Sequence, residues 1–280
     1  MKKIKLITDS GCDLNKEIIK KYNIGVVPLN ISIDDKTYVD GELSCEEFYY
    51  MMKNSKNLPK TSCPSPDAFL KHFDCEEENI LVITLASNLS AINSVANIAK
   101  NTYNEEENSK NIHIIDSETG SAGLGILLYR ACKLIEEGVE FSDLTQKIEE
   151  IKKEIVCYGA LDTLENAIKG GRVNKVAGKI IDALNLKPIV HVSEGKVKPV
   201  DKARGESNSL KKVADNILSK IDDNKKEKIL FVTHANCIDK ANKMIEIMKK
   251  RCDFSDIVIN EIGSVIGTHS SYGAVIVAVN

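Results

Sequence analysis

The sequence predicts an α/β protein of two domains, the first of them a largely parallel sheet covered by helices. In the first half of the chain, apolar runs typical of buried strands alternate with segments of helical periodicity, which favours a parallel sheet. The length of 280 residues is sufficient for two separate cores. We expect an N-terminal α/β domain at 1–157 and a C-terminal α/β domain at 158–280.

Strand and helix signals follow one another through the first half. Ser44 and Glu47 have the spacing of a capping box, which opens a helix. Ser65, Pro66 and Asp67 have the residue types of an N-cap, a first helical position and a first-turn acid. Strands are predicted at 4–8, 25–33, 80–85 and 112–116, and helices at 13–22, 45–53, 66–73, from the turn after 90 to 103, 119–137 and 142–153.

The second half has a different pattern, which predicts a mixed sheet. Ser193, Glu194 and Gly195 separate two extended runs and are typical of a tight hairpin turn. Strands are predicted at 156–161, 187–192, 196–201 and 229–233, with two more near the C-terminus, and helices begin at 162, 206 and 236.

Composition excludes several classes of function. The net charge is −3, and lysine pairs are interleaved with acids, so there is no basic stripe for nucleic acid. No apolar run approaches the length that spans a bilayer, and the apolar run at the N-terminus is too short for a signal peptide. We therefore expect a cytoplasmic protein without stable membrane insertion. The eight cysteines form no metal-binding pair and are expected to be free thiols.

Two hydroxyl-rich turns have the chemistry of an anion site. Thr61 and Ser62 are predicted in the loop that leads into the helix at 66, and Ser90 in a strand-to-helix turn. Free backbone N–H groups and the helix dipole favour negative charge at such places. The two turns together can hold one carboxylate or phosphate. The alternative is that each serine or threonine is an ordinary helix cap.

Several other residues have chemistry of interest. Arg172 and Arg204 lie beside glycines in turns, where a guanidinium serves an anion or an interface, or is simply solvated. His269 is predicted in a loop among hydroxyls, and His234 at the end of a strand; a loop histidine can donate to an anion. Cys63 lies within the hydroxyl loop, where a nucleophile is possible.

The glycine-rich segment 116–125 lacks the lysine of a phosphate loop and the third glycine of a dinucleotide fingerprint. We interpret its glycines as allowing a helix to pack closely on the sheet. The sequence also contains no convincing metal cluster.

Taken in order, the motifs of this chain resemble the DegV family, whose members include the fatty-acid-binding subunits of bacterial fatty acid kinase. The resemblance extends over essentially the whole chain. The matching motifs are Thr8-Asp9-Ser10, Asp13-Leu14, Val27-Pro28-Leu29, Tyr38-Val39-Asp40, Thr61-Ser62, Pro64, Leu89-Ser90, Ile115-Asp116-Ser117, Gly123-Leu124-Gly125, Gly170-Gly171-Arg172, Lys187-Pro188-Ile189, Ala203-Arg204, His234-Ala235-Asn236, Gly267-Thr268-His269 and Gly273-Ala274.

The resemblance implies a two-domain DegV-like fold with a long-chain fatty acid, such as palmitate, between the domains. Thr61, Ser62 and Ser90 match the hydroxyls that bind the carboxylate in this family. His269 and Arg172 match a histidine and an arginine near the head group. Arg204 matches a position implicated in docking the kinase subunit.

Three stretches depart from the family pattern. Cys63 replaces a glutamine, 91–93 replace a Gly-Thr-Tyr run, and Ser271 and Tyr272 replace Gly-Pro. The resemblance implies that the tail of the fatty acid lies in an apolar tunnel. These departures bear on the shape of that tunnel and on the exposure of the carboxylate head group.

The leading hypothesis is a fatty acid carrier without catalytic machinery or cofactor, which presents the carboxylate to a separate kinase subunit for phosphorylation. Each buried methylene contributes about 0.8 kcal/mol, so a long tail supplies on the order of 10 kcal/mol before ordering costs. One alternative is a self-sufficient enzyme that uses Cys63 or His234 on an acyl or small carbonyl substrate. The other is a lipid sensor without a kinase partner.

Overall fold

The first half of the chain forms a four-stranded parallel sheet, as predicted. The computed structural model describes residues 4–105, 110–174, 185–221 and 227–280. The parallel sheet has the order β2-β1-β6-β7, and a separate antiparallel sheet has the order β4-β3-β5. The strands are β1 Ile4–Asp9, β2 Gly25–Val27, β3 Asn30–Ile33, β4 Lys36–Val39, β5 Lys60–Ser62, β6 Asn79–Thr84 and β7 Asn111–Asp116.

The small antiparallel sheet corrects two predictions. The extended run 25–33 is not one strand, because β2 pairs with β1 while β3 pairs with β4 and β5. Pro28 has no N–H for a ladder, and the amide of Leu29 donates instead to Ser10 Oγ at 3.1 Å. Thr61 and Ser62 were expected in a loop but lie in β5, where Thr61 pairs with Ile31.

The second half forms a six-stranded mixed sheet, as predicted. Its order is β10-β9-β8-β13-β11-β12, in which β11 and β12 are parallel and the other neighbours are antiparallel. The hairpin of β9 and β10 turns at Glu194 and Gly195, with φ values of 53° and 69° that suit a tight hairpin. The strands are β8 Val156–Ala160, β9 Leu186–Ser193, β10 Lys196–Arg204, β11 Ile229–His234, β12 Asp256–Glu261 and β13 Val275–Val279.

Helices flank the sheets, and their starts are set by local capping. The predicted capping box of Ser44 and Glu47 is present. The first helix starts at Lys16 rather than Asp13, because Asp13 has a φ of 49° and Asn15 accepts a hydrogen bond from the amide of Ile18. In the described ranges the helices are α1 Lys16–Lys21, α2 Cys45–Asn54, α3 Asp67–Phe73, α4 Ile92–Glu105, α5 Ala122–Glu136, α6 Phe141–Glu154, α7 Glu165–Lys169, α8 Glu206–Leu218, α9 Ile238–Lys249 and α10 Ser264–Ser270.

Two further predictions about helices were wrong. Ser65 does not cap α3, which begins at Asp67 with no side-chain hydrogen bond at the cap residue Pro66. His269 does not lie in a loop, because α10 occupies the stretch between the last two strands and His269 is in its last turn. Within this short helix, Thr268 Oγ1 donates to the carbonyl of Ser264 at 2.8 Å.

Helix α5 joins the two halves of the molecule. A Cβ atom built on Gly125 of α5 would lie 2.6 Å from the ring of Phe231 in β11, so only glycine permits this approach. The glycine-rich segment therefore serves packing, as we interpreted it. One buried cluster contains Leu6 and Ile83 of the first sheet together with Phe231 and Ile276 of the second. The boundary between 157 and 158 stays a prediction.

No helix in the described ranges combines the length and the apolar character needed to cross a bilayer.

Candidate functional site

A narrow apolar cleft lies between the two halves of the chain. The cleft is tight, with a cavity volume of about 90 Å³. Such a shape suits a thin alkyl chain better than a bulky ring system. The apolar side chains that line the cleft are Leu29, Leu85, Leu89, Leu161, Ala167, Val190, Val192, Val197, Val265, Ile266 and Ile276.

Five polar side chains also line the cleft, and they come from distant parts of the chain. They lie in β5, in the turn after β6, in the turn after α7 and at the end of α10. The structure thus brings together four of the five residues that the sequence predicted as ligand-binding, and it adds one. The polar lining residues are Thr61, Ser90, Arg172, His269 and Ser270.

Two of these polar side chains contact each other, and backbone groups link a third to them. Thr61 Oγ1 and His269 Nε2 are 3.2 Å apart, with the donor decided by the tautomer. Gly170 lies against the other side of the imidazole, since a Cβ there would be 2.6 Å from Nδ1. Arg172 donates from one terminal nitrogen to the carbonyl of Gly170 at 2.6 Å and from Nε to the carbonyl of Leu89 at 3.1 Å.

Arg172 places a positive charge beside the cleft. The hydrogen-bond acceptors described above are neutral carbonyls, and no carboxylate in the described ranges forms an ion pair with this guanidinium. An arginine can bind a carboxylate through two parallel hydrogen bonds. The cleft therefore has a cation that an anionic head group can neutralise.

His269 is held in its neutral form. Burial, and then the nearby charge of Arg172, lower the pKa of this imidazole from 6.5 to about 4. Its Nδ1 atom is buried without a hydrogen-bond partner among the described residues. A neutral imidazole retains one N–H, so His269 can donate one hydrogen bond to an anion or to Thr61.

Ser90 contacts both the start of helix α4 and the thiol of Cys63. Its Oγ accepts from the amide of Ile92, the first residue of α4, at 3.3 Å. The Cys63 thiol lies 3.4 Å from the same oxygen, and either group can be the donor. When the thiol donates, both protein contacts use lone pairs of Oγ, and the hydroxyl proton is available to a ligand. Capping and anion binding are therefore compatible at this residue.

Ser62 and Arg204 do not join this cluster. Ser62 is exposed and does not line the cleft, because neighbouring residues of a strand point to opposite faces and Thr61 points inward. Arg204 is exposed at the end of β10.

Ser270 was not predicted as a ligand-binding residue. It is 6% exposed, lines the cleft next to His269, and its Oγ has no hydrogen-bond partner in the described part of the chain. An unpartnered buried hydroxyl is costly, which points to a ligand or water as its partner. A loop, which the sequence predicts around His269, has no periodicity that would indicate which side chains face inward.

The second polar region of the molecule contains His234. His234 Nδ1 accepts from the amide of Cys237 at 3.3 Å, and the residue lines a polar cleft together with Asp13, Asp40 and Asn260. This region is separate from the lining of the apolar cleft. In the described ranges, no group of three His, Cys, Asp or Glu side chains is arranged to hold a metal ion.

Comparison with known proteins establishes the family. The model described as "Uncharacterised protein, DegV family" matches residues 3–280. A DegV domain-containing protein of Clostridium acetobutylicum is 33% identical, covering 96% of this chain and 95% of its own. Another, of Clostridium perfringens, is 32% identical over 100% of this chain and 99% of its own. The chain belongs to the DegV family, which confirms the resemblance of its motifs.

Solved structures of similar fold include proteins described with fatty acids. A DegV family protein of Ruminococcus gnavus, described with vaccenic acid, has a TM-score of 0.91 and 28% identity, covering 99% of this chain and 100% of its own. A fatty acid binding DegV family protein of Streptococcus agalactiae has a TM-score of 0.84 and 28% identity, covering 100% and 99%. The fatty acid kinase B3 protein of Streptococcus pneumoniae, at 24% identity and a TM-score of 0.88 over 99% and 98%, shares the fold.

Proposed function

We propose that this protein binds a long-chain fatty acid and presents its carboxylate to a separate kinase subunit. The observation that supports this most directly is the cluster of Thr61, Ser90, Arg172 and His269 on the wall of an apolar cleft. The DegV relatives described with fatty acids at 28% identity give independent support.

The cluster has the chemistry that a buried carboxylate needs. An ionised carboxylate taken out of water without partners costs several kcal/mol, so it requires convergent donors. Arg172 supplies charge and paired N–H groups, Ser90 and Thr61 supply hydroxyls, and His269 supplies one N–H. These donors fix the orientation of the head group, while the aliphatic lining accepts the tail.

The tail supplies most of the affinity. Each methylene that leaves water contributes about 0.8 kcal/mol, so the total scales with chain length. The cleft is narrow, with a cavity volume of about 90 Å³. The branched side chains of the lining therefore shift outward when a long chain enters. The distance by which these side chains can shift then determines which fatty acids the cleft accepts.

Phosphorylation of the carboxylate is assigned to a partner because the sequence contains no phosphate loop. In this proposal the exposed Arg204 contributes to docking of that partner. The same binding chemistry would also serve a lipid sensor without a kinase. In the described structure no contact supports the enzyme alternative. The Cys63 thiol contacts the Ser90 hydroxyl, and the imidazole of His234 contacts the amide of Cys237. These two pairs of residues are separate from each other.

Lipid extraction tests the binding step. Purified protein is extracted with organic solvent and analysed by mass spectrometry, and delipidated protein is titrated with palmitate. We expect a fatty acid in the extract or saturable uptake of one molecule per chain. Absence of both would contradict the proposal. Acyl phosphate formation with ATP and the kinase subunit of the same cell, but not without that subunit, distinguishes a kinase subunit from a sensor.

A further inference from the structure

Two carboxylates of the first half lie at the start of helix α10, which carries His269. Asp13 Oδ1 accepts from the amide of Gly263, the N-cap residue, at 2.8 Å. The carboxylate of Asp40 lies beside the same turn, since both of its oxygens would be 3.9 Å from a Cβ atom built on Gly263. The first N–H groups of a helix lack partners within it, and its dipole favours negative charge there. Asp13 therefore caps the helix from a distant part of the chain, and Asp40 places a second acidic group at the same helix start.

Asp13 is itself fixed in place. Asp13 Oδ2 accepts from Ser121 Oγ at 2.5 Å, and Ser121 Oγ lies 2.8 Å from Thr233 Oγ1. Asp13 is only 6% exposed. Because protein donors occupy both oxygens of Asp13, a structural role fits it better than binding of a free cation.

The approach to α10 is fixed as well. Tyr49 Oη donates to the carbonyl of Ile262 at 3.2 Å, immediately before the N-cap of the helix. His269 is five residues after Ser264, which is about 7.5 Å along a helix axis. Over so short a distance a helix is stiff, so a displacement of its first turn also moves the imidazole relative to Thr61.

We infer that Asp13 and Asp40 are positioning residues for the head-group site, acting through helix α10 on His269. This inference rests on the proposed function, since it assigns the aspartates to the carboxylate contact of His269. It also gives a role to two motifs of the sequence, Thr8-Asp9-Ser10 with Asp13 and Tyr38-Val39-Asp40, that lie outside the cleft lining.

The test compares palmitate with hexadecanol by calorimetry, in the wild type and in Asp40→Asn. The alcohol has the same tail but no carboxylate. Asparagine carries no negative charge to interact with the helix dipole, so we expect about fivefold weaker binding of palmitate and a change below about twofold for the alcohol. Asp34→Asn is the matched control, because Asp34 accepts from the amides of Lys56 and Asn57 and forms no hydrogen bond with α10 in the described ranges.

A double-mutant cycle with His269→Ala tests the route of the effect. If Asp40 acts through His269, Asp40→Asn causes no further loss in the His269→Ala background. Equal losses for acid and alcohol, or additive losses in the double variant, would overturn the inference while leaving the proposed function intact. Failure of the wild type to bind palmitate would remove both. Asp13→Asn, measured in the same way, replaces Asp40→Asn if circular dichroism shows that Asp40→Asn does not fold.

Discussion

Thr61 Oγ1 lies 3.2 Å from His269 Nε2, although 208 residues separate the two in the sequence. The contact joins the small antiparallel sheet of the first half to helix α10 of the second. A ligand held by this pair would touch both halves of the molecule at once. Binding should therefore stabilise the folded protein, by an amount that grows with ligand concentration.

Ser90→Ala should weaken palmitate binding by about fivefold to tenfold, because it removes a hydroxyl donor from the carboxylate. Calorimetric titration of delipidated protein measures the change. Ser62→Ala is the matched control within the same motif, since Ser62 is exposed and does not line the cleft. A loss in Ser62→Ala equal to that in Ser90→Ala would show that the head group lies against the other face of β5.

Arg172→Gln should weaken binding of the carboxylate by about tenfold or more, because it removes the positive charge beside the cleft. Arg172→Lys should recover part of this loss, since it restores the charge but not the contact that Nε makes with the carbonyl of Leu89. Both variants are titrated with palmitate and hexadecanol. An equal loss for the alcohol would indicate that Arg172 supports the fold rather than the head group.

Arg172→Gln should also raise the pKa of His269, since the nearby guanidinium is one of the two causes that lower it. NMR titration of the imidazole of the ligand-free protein measures this pKa directly. An unchanged pKa in the variant would mean that burial alone keeps the imidazole neutral.

The stability of the ligand-free protein should fall as the pH is lowered from 6.5 to 4 in a way that depends on His269. Its pKa is about 4 in the folded state, below the ordinary 6.5, so in this window the unfolded chain binds the additional proton. The lost stability is at most about 3 kcal/mol. Urea unfolding of His269→Gln at both pH values should show a smaller loss than the wild type.

Asp9 acts in the opposite direction over part of this range. Burial raises the pKa of its carboxyl from 3.8 to about 6, so the folded state binds the additional proton and gains stability as the pH falls. The difference between His269→Gln and the wild type isolates the histidine, because Asp9 is the same in both. Identical pH dependence in the two proteins would contradict the neutral, buried state of His269.

Ser270→Ala should stabilise the ligand-free protein and weaken binding of the fatty acid. The variant removes a buried hydroxyl that has no partner in the described ranges, while the ligand loses a donor in the cleft. Ser271→Ala is the matched control, because the Ser271 hydroxyl is also buried without a described partner but does not line the cleft. We expect a gain of about 1 kcal/mol in each variant and weaker binding in Ser270→Ala alone. Unchanged binding in both would remove Ser270 from the site.

The sequence by itself determined the α/β class, the parallel first sheet, the hairpin at Glu194 and Gly195, and the family. These features depend on local periodicity, on turn residues and on the order of motifs, and all three can be read directly from the amino-acid sequence. The sequence also identified Thr61, Ser90, Arg172 and His269 as candidates, through the resemblance of their motifs.

Only the tertiary structure decided which of these side chains meet. Thr61 and Ser62 are alike in sequence, yet strand pairing with β3 turns one toward the cleft and leaves the other exposed. The helical state of 264–270 places Ser270 in the lining, and the cap of this helix comes from Asp13, about 250 residues away. Contacts between such distant residues are fixed by packing of the whole chain, and local sequence patterns contain no information about them.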